Sequence, residues 1–190
     1  PAPGAGQRLH HHRIPAELPY RLNRLRLGEG DRKRQGGHSL GAQRADVVAF
    51  YHDNPAWVAD KAADLDAFLG GGGGLIFLHW SMNAYRDVDA LKQRLGRSWG
   101  AGAKFRYGPE ELTFTPHALT AGFPNPAKFT DEAYWNLPGS DEGSTVLATS
   151  LEEGKPTPQV WLKEQGKGRV FVCIPGHFTW TFDDPLYRVL

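Results

Sequence analysis

Two histidines follow apolar runs that are typical of buried strands, close to the point where each run ends. His79 comes directly after residues 75–78, and His177 follows residues 169–174 with two residues between. Ligands of open α/β sheets bind beyond the carboxyl ends of the strands. If these strands are neighbours, the two imidazoles share one rim of the sheet. Histidines placed in this way suit general acid–base catalysis or metal binding.

An adjacent pair of carboxylates could complete this site. Asp131 and Glu132 come after a short strand candidate at residues 112–114. With the histidines they predict a catalytic set in which Glu132 or His177 is the base and His79 is the acid or oxyanion donor. A second hypothesis is a metal site with His79, Glu132 and His177 as ligands, because two imidazoles and one carboxylate bind divalent ions. The sequence does not identify a cofactor, and it is compatible with a divalent metal.

Aromatic residues lie close to each polar position and favour a sugar as the ligand. The candidate substrate-binding residues are Trp80, Tyr134, Trp135 and Trp180. Aromatic faces stack on the C–H faces of sugars, while nearby carboxylates and imidazoles bind the hydroxyls. The carboxylate pair of ordinary glycosidases is not recognisable, because adjacent residues of an extended segment point in opposite directions.

The first elements that position these residues form a strand–helix–strand unit. Residues 45–51 predict a buried strand, and Asn54 with Pro55 is a typical helix start. The apolar period indicates that this helix runs to Gly70, and residues 75–78 predict a parallel strand. The glycines at 70–74 follow a helix and precede a strand, which is the wrong order for a phosphate loop.

Shorter elements are expected in the rest of the chain. The patterns predict a helix at 87–95, a brief strand at 112–114, antiparallel or edge strands at 145–149 and 159–162, a buried strand at 169–174 and a final helix from 183. Together with the strand–helix–strand unit they indicate an α/β domain.

Charge is unevenly distributed along the 190 residues. Residues 1–44 contain nine Arg and Lys against three Asp and Glu, a net charge of +6, whereas residues 45–190 have a net charge of −5. We expect 1–44 to be a basic, poorly ordered or atypical segment. It has no recognisable nucleic-acid-binding motif, so a nucleic-acid partner is not favoured. No apolar run reaches the roughly 20 residues of a membrane helix, and no signal peptide is visible.

Four ordered motifs resemble those of the ThuA-like family, named for trehalose utilisation. They are GGGLIFLH at 72–79, DEAYW at 131–135, PQVW at 158–161 with GKGRVF at 166–171, and Gly-His at 176–177 with TFDDP at 181–185. The resemblance covers residues 45–190, so the chain is interpreted as a basic segment, 1–44, followed by one ThuA-like α/β domain, 45–190.

The resemblance implies a flavodoxin-like fold, similar to class I glutamine amidotransferases, with a mostly parallel sheet flanked by helices. Because that family has a strand and a helix before residue 45, and because the chain stops inside its last predicted helix, the domain is expected to be a bacterial fragment incomplete at both ends. Amidotransferase chemistry is not expected, because the turn after 75–78 has no cysteine. Cys173 lies inside a predicted strand and is interpreted as a buried thiol. Ser81 has no nucleophile-elbow glycines around it.

The resemblance also implies a role in carbohydrate metabolism, with a sugar or keto-disaccharide as the substrate. The reaction would be a hydrolysis or an isomerisation by histidine and carboxylate acid–base chemistry, with or without a metal. The alternative is a non-catalytic sugar-binding or structural module of a larger protein. A homo-oligomer is compatible with the sequence, as is either the bacterial cytoplasm or the periplasm.

Overall fold

The computed structural model describes residues 45–52 and 57–190. The basic segment 1–44 and the predicted helix start at 54–55 lie outside the described residues. The strands are β1 (Val47–Phe50), β2 (Gly74–Leu78), β3 (Lys104–Phe114), β4 (Ala127–Trp135), β5 (Ser144–Glu152), β6 (Lys155–Gln165) and β7 (Gly168–Cys173). The helices are α1 (Trp57–Gly70), α2 (Val88–Leu95) and α3 (Thr179–Asp183).

The parallel part of the sheet contains both strands that precede the histidines. β1 pairs with β2 in parallel, joined by α1, and β2 pairs in parallel with β7. Leu78, the last residue of β2, is opposite Cys173, the last residue of β7. The carboxyl ends of these two strands are therefore level at one rim of the sheet.

The rest of the sheet is antiparallel, which corrects the expectation of a mostly parallel, flavodoxin-like sheet. Among the described residues the strand order is β1-β2-β7-β6-β5-β3-β4, and every pairing from β7 to β4 is antiparallel. Tight hairpin turns join β5 to β6 and β6 to β7, whereas a parallel strand needs a long crossover. The family's flavodoxin-like description therefore applies at most to the β1-β2-β7 part, and the fold is α/β with a mixed, curled sheet.

The long hairpin of β3 and β4 folds back over the sheet. β5 pairs with β3 only at Thr113 and Phe114, whereas β4 pairs with β3 from Lys104 to Leu112. The side-chain amide of Gln159, in the middle of β6, accepts a hydrogen bond from the backbone N–H of Tyr134 at 3.2 Å. The same amide donates a hydrogen bond to the backbone carbonyl of Tyr134 at 2.8 Å. This clamp brings the end of β4 close to the end of β7, although the two strands are far apart in the sheet order.

This hairpin was predicted only as a brief strand at 112–114 followed by a polar and aromatic cluster. Gly108 and Pro109 interrupt the strand pattern, and Glu110 stands where an apolar residue is expected. Proline is tolerated because, among the described strands, β3 is paired on one side only at this point. Asp131 and Glu132 were predicted to follow a brief strand at 112–114. In the structure they lie inside the separate strand β4.

The apolar core lies on both faces of the sheet. One cluster includes Leu69 of α1, Leu91 of α2 and Val172 of β7, and the other includes Phe129 of β4, Cys173 of β7 and Tyr187 near the C-terminus. The continuous apolar run of β7 is explained by this double covering. Helix α3 ends at Asp183, where the sequence predicted a helix to start. No helix in the described part of the chain has the length and apolar character needed to span a membrane.

Candidate functional site

His79 is held in a fixed orientation at the end of β2. It begins a short 3-10 turn, has a φ of +51°, and is 5% exposed. A non-glycine residue adopts this left-handed backbone only where the surrounding structure enforces it. Here Nδ1 lies 3.0 Å from the carbonyl oxygen of Ile174, the residue after β7. Because that oxygen can only accept, Nδ1 carries the hydrogen, and Nε2 presents a lone pair.

The side chain of His177 meets that lone pair from the loop after β7. Its Nδ1 lies 2.9 Å from Nε2 of His79, and its side chain is 44% exposed. Gly176 before it has a φ of +138°, and a Cβ there would be 2.8 Å from the hydroxyl of Tyr187. The glycine therefore allows the sharp turn that returns His177 to the rim. Tyr51 further fixes this turn by donating a hydrogen bond to the Gly176 carbonyl at 2.9 Å.

Glu132 reaches the two histidines from β4. Its Oε2 lies 3.7 Å from Nε2 of His79 and 3.6 Å from Nδ1 of His177. The hydroxyl of Tyr134, two residues along the same face of β4, lies 3.2 Å from Oε2 of Glu132 and 3.0 Å from Nε2 of His79. Four polar groups from three separate segments therefore converge, and the curled hairpin is what makes this possible.

Asp131 points to the opposite side of β4 and supports the site from behind. It is fully buried and accepts hydrogen bonds from the backbone N–H of His177 at 3.0 Å and of Glu132 at 2.7 Å. Its second oxygen accepts from the hydroxyl of Thr181 in α3. Asp131 therefore does not line the cavity; it holds the backbone of two residues that do.

Burial shifts the ionisation of the groups in the site. Removal from water lowers the pKa of His79, more than the Ile174 carbonyl and the nearby Glu132 raise it. The pKa of Tyr134 is raised well above its ordinary value, first by burial and then by the negative charge of Glu132. His79 is therefore neutral and Tyr134 is a hydrogen-bond donor at physiological pH.

The four groups open into an aromatic cavity of about 470 Å³. Its lining consists of Tyr51, His52, His79, Trp80, Trp99, Phe105, Glu132, Tyr134 and His177. A cavity of this size is in the range used for small molecules. Glu132 is the one carboxylate in the lining, so a second acid for a two-carboxylate glycosidase mechanism is lacking among the lining residues that the structure describes.

The structure places the sequence-derived candidates at different distances from this cavity. Trp80 and Tyr134 line it. Trp135 follows Tyr134 on the other face of β4, and Trp180 donates a hydrogen bond to the carbonyl of Thr130 at 2.9 Å; neither is part of the lining. Cys173 is buried, and burial raises the pKa of its thiol, which supports its interpretation as a core residue.

Four lining residues were missed by the sequence reasoning: Tyr51, His52, Trp99 and Phe105. His52 had a usable signal, because it comes shortly after a parallel strand, as His79 does. Trp99 and Phe105 gave none, because their position depends on how the hairpin folds back.

Comparison with known proteins supports a family assignment. The fold is similar to a putative ThuA-like protein from Parabacteroides merdae, with a TM-score of 0.61, 17% identity and coverage of 75% of this chain and 63% of that one. A putative ThuA-like protein from Bacteroides uniformis has a TM-score of 0.61 and 15% identity, with coverage of 76% and 65%. The chain thus spans less than two thirds of the length of these relatives.

The same fold also occurs as a part of a larger protein. A β-galactosidase from G. stearothermophilus matches with a TM-score of 0.50 and 17% identity over 75% of this chain and 20% of that one. No curated protein sequence matches the chain. The sequence model of the ThuA family, described as trehalose utilisation, matches residues 40–190. Because this match covers most of the chain, the protein belongs to the ThuA family.

Proposed function

We propose that the domain moves a proton on a keto sugar, with a keto-disaccharide as the substrate. The observation that carries this proposal is the convergence of His79, Glu132, Tyr134 and His177 at one aromatic cavity. The family's association with trehalose utilisation supports a carbohydrate ligand. The aromatic lining supports it as well, because sugars stack on such faces.

Proton transfer next to a carbonyl fits this set of groups better than direct glycoside hydrolysis. The single carboxylate among the described lining residues suits one base, whereas ordinary glycosidases require two carboxyl groups. Glu132 removes the proton from the carbon beside the ketone, and the C–H electrons form a carbon–carbon double bond. The ketone oxygen takes the Nε2 proton of an imidazolium His177, whose Nδ1 proton stays hydrogen-bonded to His79, and this gives an enol. Where the carbon that lost its proton carries a hydroxyl, Glu132 returns the proton to the former carbonyl carbon while that hydroxyl gives its proton to His177 and becomes the new carbonyl, which isomerises the sugar. Alternatively, the enol hydroxyl returns its proton to His177 as the ketone re-forms, the electrons of the double bond expel the leaving oxygen from the next carbon, and that oxygen takes the proton from Glu132, which cleaves the sugar.

The neighbouring groups have positioning roles in this proposal. His79 is neutral and its Nε2 is an acceptor, so it orients His177 and is not the acid. Tyr134 donates to Glu132 and fixes the carboxylate. Trp80, Trp99 and Phe105 provide the apolar walls against which a sugar ring stacks.

The test is exchange of the proton beside the ketone. Keto-trehalose incubated with the protein in D₂O is expected to gain deuterium at that carbon, and Glu132→Gln is expected to lower the rate by roughly 100-fold or more. Glu142→Gln, an exposed glutamate outside the cavity, is the control. Absence of exchange by the wild-type protein, with the sugar bound, would contradict the proposal.

That last result would favour a second function, a non-catalytic sugar-binding module. The observation in its favour is that the fold makes up a fifth of the β-galactosidase chain. A sugar-binding module should bind the sugar in calorimetry but give neither exchange nor turnover. A purely structural unit should not bind the sugar at all.

A further inference from the structure

We infer that His79 Nε2, His177 Nδ1 and Glu132 Oε2 together bind a divalent transition-metal ion. This rests on the proposed function and deepens it: a cation here would polarise the ketone oxygen in place of the His177 proton, and the second carboxylate oxygen of Glu132 would remain available to take the proton from carbon. The ion site itself depends only on the three ligand atoms. The three atoms lie within 4.8 Å of one another. They come from segments that are far apart in the sequence and meet at one point of the cavity.

The distances between these atoms are close to those of a metal site. They form a triangle with edges of 2.9, 3.6 and 3.7 Å. With bonds of about 2.1 Å to the ion, ligands at right angles are about 3.0 Å apart and ligands at tetrahedral angles about 3.4 Å. An ion therefore requires side-chain shifts of only a few tenths of an ångström.

The ligand atom of His79 is already directed towards the ion position. Its Nδ1–H is held by the carbonyl of Ile174, which leaves Nε2 as the coordinating atom. Histidine ligands in proteins commonly have such a backbone acceptor on the other ring nitrogen. Ion binding requires a change of tautomer in His177. Its Nδ1 must give up the hydrogen bond to His79, and the ring proton must move to Nε2. The exposed half of the His177 ring allows that change.

A surrounding shell keeps the other two ligands in place. Asp131 binds the backbone N–H of both His177 and Glu132, and Tyr134 donates to the Glu132 carboxylate. Partners of this kind orient metal ligands and affect metal affinity by about 10- to 100-fold when removed. Asp131 therefore fixes the backbone of two of the three ligands.

The chemistry of the ligands selects the type of ion. Two imidazoles and a carboxylate favour Zn²⁺, Fe²⁺, Co²⁺ or Ni²⁺ over Mg²⁺ and Ca²⁺, which prefer oxygen. Three protein ligands at a cavity leave positions for water or a sugar oxygen, as in catalytic sites. The ion would therefore bind the substrate as well as the protein.

The test is Co²⁺ binding to chelator-treated full-length protein, followed by the visible absorption of the ion and by calorimetry. We expect one Co²⁺ per chain, displaced by Zn²⁺, and affinity at least about 100-fold weaker in His177→Ala and Glu132→Gln. His177→Ala is preferred to His79→Ala, because the side chain of His177 is partly exposed whereas His79 is buried, so the change at 177 disturbs folding less. His117→Ala is the control for a histidine outside the cavity.

The three consecutive histidines at 10–12 could bind Co²⁺ themselves, so the same titration is made with all three replaced by alanine. Retained binding in that variant, and lost binding in His177→Ala, supports the inference. The inference is overturned if Co²⁺ binding disappears when residues 10–12 are replaced and is unchanged in His177→Ala. It is also overturned if the wild-type protein binds no stoichiometric Co²⁺. Neither result alters the proton-exchange test, so failure of the ion site and failure of the proposed function are distinguishable.

Discussion

At the scale of single residues, two buried acids of the hairpin have opposite roles. Asp131 has partners for both oxygens, whereas Glu110 is 1% exposed and neither of its carboxyl oxygens has a hydrogen-bond partner among the described residues. Burial followed by the charge of Asp131 raises the pKa of Glu110 to about 8. The first acid therefore supports the site, and the second costs stability when it ionises.

Replacing Asp131 by Asn tests its role in positioning His177. The amide retains one acceptor but places an N–H₂ group against a backbone N–H or the Thr181 hydroxyl. We expect a loss of about 1–3 kcal/mol in the free energy of unfolding and a fall in kcat for keto-sugar turnover with little change in KM. Denaturant unfolding and kinetics measure both. Asp183→Asn, an exposed change in α3, is the control, and an unaltered kcat in Asp131→Asn would contradict the role.

Glu110 makes stability depend on pH. Its folded pKa of about 8 lies above the ordinary value of 4.5, so between these pH values the folded state binds a proton that the unfolded state has lost. The free energy of unfolding therefore falls as pH rises through this interval, by up to about 1.4 kcal/mol per pH unit from this group. Glu110→Gln removes that contribution, and we expect a flatter pH profile in denaturant unfolding.

The control for this measurement is Glu111→Gln, which makes the same change at the exposed neighbouring position of β3. Its pH profile should follow that of the wild type. Identical profiles for the wild type and Glu110→Gln would show that Glu110 is not protonated in the folded state at neutral pH.

At the scale of elements, the site depends on the clamp between β4 and β6. Gln159 is fully buried and is the hydrogen-bond partner of both backbone groups of Tyr134. Gln159→Leu keeps the volume but leaves two buried backbone groups without partners, so we expect a loss of about 2–4 kcal/mol in the free energy of unfolding.

The same substitution should also weaken sugar binding, because Glu132 and Tyr134 lose their fixed position. Gln165→Leu, the same change at the last residue of β6, is the matched control. Thermal unfolding and calorimetry with keto-trehalose measure both effects. Full sugar affinity in Gln159→Leu would show that the clamp does not position the site.

The packing of each element explains whether the sequence predicted it. β2 and β7 were recognised because strands covered on both faces have continuous apolar runs. β1 was predicted as a buried strand, but it lies at the edge of the described sheet and buries only Phe50. The hairpin was not recognised, because Pro109 and the buried Glu110 interrupt its alternation. Convergence of His79 with His177 could be anticipated from strand ends. The approach of Glu132 could not, since it results from the curl of the hairpin whose β4 is the last strand in the order.

At the scale of the whole molecule, the mixed sheet explains how residues from distant segments form one site. Parallel strands provide His79 and His177 at one rim, and the antiparallel half curls until β4 covers that rim with Glu132 and Tyr134. The family resemblance identified the motifs correctly but implied a parallel sheet, because motifs specify local segments and not the pairing between them. The position of the Asp131 side chain behind His177 also depends on tertiary packing, so the local sequence did not predict it.

The central claim is that groups from these two halves act as one catalytic unit. The most direct measurement is the rate of deuterium exchange into keto-trehalose for the wild type, Glu132→Gln, His177→Asn and the double variant. Groups that serve one proton transfer are strongly non-additive, so the double variant should exchange about as slowly as the slower single variant. Multiplicative losses in the double variant, or unimpaired exchange in either single variant, would contradict the account.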